Sequence, residues 1–132
     1  MIKKYFILLL LNFSFSYEVG DYINLIDQNK EFQICYGSDD EVFKLSDLNG
    51  DLNGGMYHVI HIDMAASWWV PCFSSIGTMD QIKQDWSDNP FFVSITELSD
   101  LNQPYSCSQW GNQYPTQIPL IVSGPNMGLW GM

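Results

Sequence analysis

The chain contains no arginine, and its five lysines stand against fifteen acidic residues. Lys3 and Lys4 precede all the acids, so from residue 17 onward three lysines face fifteen acids, a net charge of −12. Such a chain has few groups with which to neutralise phosphates. This argues against nucleic acid or an anionic lipid surface as a partner. Strong acidity says little more, because it often serves solubility. Cysteine is scarce as well. Cys35, Cys72 and Cys107 show no metal-ligand spacing, and His58 and His61 lie on an apolar run with no cysteine close by. No metal is therefore expected. Three is an odd number, and either one bridge with a free thiol or three free thiols satisfies it. A long hydrophobic run is missing too: Tyr5–Phe15 falls well short of the roughly 20 residues that span a bilayer. No internal repeat or low-complexity tract is visible.

What is present at the start is the layout of a secretory signal. "MIKK" is a short basic segment, "YFILLLLNFSF" the apolar run, and Ser14 and Ser16 are the small residues of a cleavage site near Ser16–Tyr17. The reading is a signal peptide over 1–16 and one domain over 17–132. The mature chain is expected to be periplasmic or extracellular, with no stable membrane anchor.

Along the domain, "VGDYINLIDQNKEFQICYG" predicts two short strands around the "DQNK" turn. "DEVFKLSDLNGDLNGG" is polar and rich in turn residues. Asp47, Asn49 and Asp51 match the first ligand positions of a calcium loop. Leu52 stands where its glycine belongs and His58 where its glutamate belongs, so the segment is read as a plain loop. "MYHVIHIDMAA" predicts a strand buried on both faces. From Cys72, the spacing of Phe73, Ile76, Met79, Ile82 and Trp86 predicts a helix with one apolar stripe, stopped by Asp88, Asn89 and Pro90. "FFVSI" and "PLIVS" predict two further strands. Strand, helix, strand is a β-α-β unit, so the fold class is α/β, with a central sheet containing parallel strands and helices packed on it.

The chemistry concentrates in "AASWWVPCFS", residues 65–74. A thiol in the first turn of a helix meets unpaired N–H groups and the positive end of the helix dipole, which favours the nucleophilic thiolate. "IDMAASWWVPC" resembles the active-site segment of the thioredoxin superfamily, which reads "D-F-W-A-x-W-C-x-P-C" or close to it. Asp63 falls on the family's buried acid, Ala66 on its small residue, Trp68 on the flanking tryptophan, Pro71 on the motif proline and Cys72 on the resolving cysteine. Trp69 falls on the nucleophile. Upstream, "VGDYINLIDQNKEF" and "FKLSDLNG" resemble the N-terminal extension of the redoxin branch, the peroxiredoxin-like and cytochrome-maturation-type thiol–disulfide oxidoreductases. The resemblance runs from residue 19 to about residue 100.

It implies a thioredoxin-like fold, protein thiols or disulfides as partners, and no cofactor. It also implies a damaged site, since indole can neither attack a disulfide nor form one. One base change separates a Cys codon from a Trp codon. Two functions follow as expectations. The first is a single-thiol redox protein in which Cys72 forms a mixed disulfide with Cys107 or a partner and Asp63 accepts its proton. The second is a redox-inactive binding module that uses the Trp68–Trp69 surface. An inert, shielded Cys72 belongs with the second.

The family places a cis-proline opposite its cysteines, just before a strand. Pro119 in "QIPLIVSG" is the direct candidate and Pro115 a poorer one; alternatively "IPLIVSGPNMGLWGM" resembles an inserted redoxin strand, and that proline would lie beyond Met132. Gly77 sits where many relatives carry a helix-kinking proline. A hairpin and a final helix are expected after Pro119, but "GPNMGLWGM" has no amphipathic pattern, so the domain is read as C-terminally incomplete, a fragment of a redoxin.

Overall fold

A computed structural model of the chain describes residues 17–99 and 103–123; the expected signal peptide, Leu129 and Trp130 lie outside them. The described residues form an α/β structure around a five-stranded mixed sheet. The strands are β1 (Phe32–Tyr36), β2 (Val42–Phe43), β3 (Val59–Ala65), β4 (Phe92–Leu98) and β5 (Leu120–Ser123), in the order β2-β1-β5-β4-β3. The helices are α1 (Leu25–Gln28), α2 (Gly50–Asn53), α3 (Val70–Asp85) and α4 (Cys107–Gly111), with a 3-10 turn at Leu45–Leu48.

The β-α-β unit is as expected. β3 and β4 run parallel in unbroken register from Val59 opposite Phe92 to Ala65 opposite Leu98, and α3 connects them. β5 extends the parallel set beside β4, and β1 closes on β5 antiparallel. Alternation along the strands splits the apolar residues between two faces. On one face Phe32, Phe43, Leu45, Ile95 and Val122 pack together, with Ile60 and Ile62 against them. On the other Ala65, Leu98 and Ile121 pack with Ile76 of α3 and with Trp110 and Tyr114. Each fully buried Ile, Leu or Val contributes roughly 1.5–3 kcal/mol relative to exposure.

Three local expectations are corrected. The "DQNK" region is a helical turn rather than a hairpin loop, because the Asn24 side chain caps it by accepting from Asp27 N–H at 2.9 Å. β3 is not buried on both faces. It is the last strand in the order, and Val59 and Met64 stand exposed. The buried line of α3 is rotated from the apolar stripe, so that Ile76 and Asp80 are its deepest residues. Phe73 and Trp86 lie at its margins, 41% and 51% exposed. Phe73 leans on Tyr105 and Trp110, and Trp86 stacks on Phe92 at 5.3 Å.

Asp80 is the reason the helix sits this way. Its Oδ1 accepts from Thr116 N–H at 3.2 Å and Gln117 N–H at 2.8 Å, and its Oδ2 from the Thr116 hydroxyl at 2.7 Å. Burial works against the charge, but these hydrogen bonds and the Lys83 ammonium outweigh it and hold the carboxyl below the usual range. The carboxylate thus fastens α3 to the segment entering β5.

Candidate functional site

The loop between β3 and α3 carries the residues singled out above. Ala66–Trp69 is a turn closed by Trp69 N–H to Ala66 O at 3.1 Å. Trp69 is the N-cap of α3, with extended backbone (φ −92, ψ 111) and no side-chain capping bond. Pro71 follows in the first turn, where the missing N–H costs nothing and the fixed φ suits the helix. Cys72 N–H donates to Trp69 O at 3.0 Å, which places the thiol one turn into the helix.

Cys72 is half-buried and is the free cysteine among the described residues. Cys35 and Cys107 form a disulfide, which resolves the pairing that the odd number left open. All three side chains pack against one cluster, built on Ala65, Ile76, Leu98, Trp110, Tyr114 and Ile121.

The outer side of the loop is apolar and exposed: Trp68 66%, Trp69 51% and Val70 73%. Trp69 is thus half exposed. Ser67, Trp68, Val70, Phe73, Pro104 and Tyr105 line an adjoining cavity of about 250 Å3. The Ser67 hydroxyl donates to Gln103 O and ties the loop to the segment that precedes α4.

Asp63 lies two residues before Ala65 on the face that α3 covers, half-buried. Burial raises its carboxyl above the ordinary value, with His61 acting in the opposite sense. Tyr114 is pushed up to about 12, chiefly by burial and further by the charges of Asp63 and Asp80, against the hydrogen bond it shares with Thr96 at 2.9 Å. Asp63, Thr96, Tyr114 and Asp80 therefore form a polar patch on the α3 side of the sheet.

Pro119 is not part of this site. Leu120 is level with Ile95, and Ile95 with Ile62, so Pro119 is level with His61, well short of the end of β3 where the loop begins. It is buried, and its carbonyl abuts Gly37, where a Cβ would sit 1.9 Å from that oxygen. The cis peptide bond among the described residues is Gln103–Pro104, and Pro119 follows a trans bond, contrary to expectation. Pro104, Tyr105, Trp110 and Asp80 were not anticipated as neighbours of the site. One signal for this region was readable. Ser106 and Gln109 form a capping box, the Ser106 hydroxyl accepting from Gln109 N–H at 3.3 Å and Ser106 N–H donating to Gln109 Oε1 at 2.8 Å.

Chemically, the site offers one thiol, a half-buried acid on β3 whose proton affinity burial raises, and an apolar rim. Among the described residues no cluster of His, Cys, Asp or Glu could hold a metal ion, and no helix is long and apolar enough to cross a membrane. No protein-family model, curated protein or solved structure matches the chain.

Proposed function

We propose that the chain is an exported thioredoxin-like domain of the redoxin branch, which exchanges disulfides with protein partners through the single thiol of Cys72. The observation that carries this reading is the position of Cys72. It is a free thiol one turn into the helix that follows a parallel strand, beside Pro71, and the strand that leads into the loop carries the half-buried Asp63. In the proposed step the Cys72 thiolate attacks a partner's disulfide. A mixed disulfide forms, one partner sulfur leaves as a thiolate, and Asp63 takes the proton from Cys72, directly or through water. The exposed Trp68, Trp69 and Val70 supply an apolar rim for the partner's chain.

The test is incubation of the folded protein with oxidised glutathione, followed by peptide mapping. The expected result is a glutathione adduct on Cys72 with Cys35–Cys107 intact, and no adduct in Cys72→Ser. Restoring the second thiol is complementary: Trp69→Cys is expected to create a "C-V-P-C" couple that reduces a model protein disulfide. A Cys72 that reacts only after unfolding would favour the second reading, a redox-inactive module that binds through the exposed tryptophans; there Trp68→Ala and Trp69→Ala should each weaken capture of extended apolar peptides.

A further inference from the structure

The disulfide and the free thiol pack against one cluster. Cys35 is on β1, which is separated from β3 by β5 and β4. At about 4.8 Å per strand this puts β1 roughly 14 Å from the strand that delivers Cys72. Cys107 lies on the segment that meets the residue following Cys72. Phe73, the neighbour of Cys72, stacks on Tyr105 at 5.8 Å and meets the edge of Trp110 at 6.1 Å. Those two aromatics bracket Cys107 in sequence, so the first turn of α3 lies against the start of α4.

We infer that Cys72 exchanges with the Cys35–Cys107 disulfide by attacking Cys107, so that the three cysteines form one internal exchange unit. This rests on the reading of Cys72 as an exchanging thiol. The step balances without an oxidant. Cys72 loses its proton, as in the step above, and its Sγ attacks Cys107 Sγ. The Cys72–Cys107 bond forms as the Cys35–Cys107 bond breaks, and Cys35 leaves as a thiolate that takes up a proton. One disulfide and one thiol exist before and after. The role left vacant by Trp69 thereby passes to a cysteine outside the motif: Cys107 becomes the second sulfur of Cys72.

The fold tolerates the exchange because α4 is held to β1 by more than the bridge. The Tyr36 ring fills the space that a side chain at Gly111 would need, 2.5 Å from a Cβ built there. The Tyr36 hydroxyl donates to Asn112 Oδ1 at 2.9 Å. The released Cys35 would stay at the same packed junction.

The experiment uses the wild-type protein, held without reductant or oxidant across the range from neutral to mildly alkaline pH, then acid-quenched, alkylated and peptide-mapped. A minority species with Cys72 linked to Cys107 and Cys35 alkylated is expected, approached several-fold faster at higher pH because the thiolate is the attacking form. Cys35→Ser, oxidised with diamide, should form Cys72–Cys107 intramolecularly. If wild type shows only Cys35–Cys107 with Cys72 alkylated at every pH, the inference is wrong. A Cys72–Cys35 link would overturn the assignment of Cys107 as the attacked sulfur. A Cys72–Cys107 link without any glutathione adduct on Cys72 would keep the internal exchange and reject the action on partners.

Discussion

Asp63 and Asp80 are both aspartates on the α3 side of the sheet, yet their surroundings push them in opposite directions. Asp63 has burial without compensating donors, so its carboxyl is raised. A raised carboxyl favours folding below the ordinary carboxyl range, and this contribution is lost as pH rises through the folded value. Asp63→Asn should therefore raise the melting temperature at pH 7.5, with the gain shrinking as the pH approaches about 4. Thermal melts across that range check this, and an unchanged melt at pH 7.5 would show that the Asp63 charge costs the fold nothing. Asp80 has donors, so its carboxyl is lowered. Its contribution is present above the ordinary carboxyl range and fades as pH falls through the folded value. The identity of either residue was plain in the sequence. Which one carries the strain was not, because Thr116 and Gln117 lie 36 and 37 residues from Asp80.

At the scale of elements, α3 and its fastening dominate. Removing the Asp80 carboxylate strips three hydrogen bonds from the junction of α3 with the entry to β5. Asp80→Ala should cost roughly 1.5–3 kcal/mol in chemical denaturation at neutral pH, and the difference from wild type should narrow in acid. Gly77 is the opposite case. It is exposed within α3, and an added Cβ would meet nothing within 4 Å. Gly77→Ala should raise stability by roughly 0.5–1 kcal/mol through the lower backbone entropy of alanine. A loss would mean that the backbone of α3 needs glycine at this position. The helix itself was legible from its three-and-four spacing, but the buried line was not. A hydrophobicity pattern weighs Phe73 and Trp86 as core, whereas aromatic neighbours at the margin can hold them half in water. α4 was missed because five residues give too short a period to detect, although its capping box was written in Ser106 and Gln109.

For the whole molecule, the Cys35–Cys107 bridge closes a loop across a sequence separation of 72 residues and joins β1 to α4. In the chain-entropy picture a loop of that size is worth about 4 kcal/mol, commonly less in measurement. Reduction should lower the unfolding free energy by roughly 2–4 kcal/mol, read as a shift of the denaturation midpoint with and without reductant; no shift would assign the β1–α4 junction to Tyr36, Gly111 and Asn112 alone. The sequence by itself determined the α/β class, the parallel β3–α3–β4 unit and the place of Cys72 behind Pro71 in the first turn of α3. These are set by contacts a few residues apart and by periods of two and 3.6. Only the tertiary structure decided which cysteines pair, that β3 is the last strand of the described sheet, that Pro119 packs on Gly37 away from the loop, and that Tyr105 and Trp110 stand beside it. Each of those depends on a partner tens of residues distant, and local pattern carries no information about which distant partner a packed core will select.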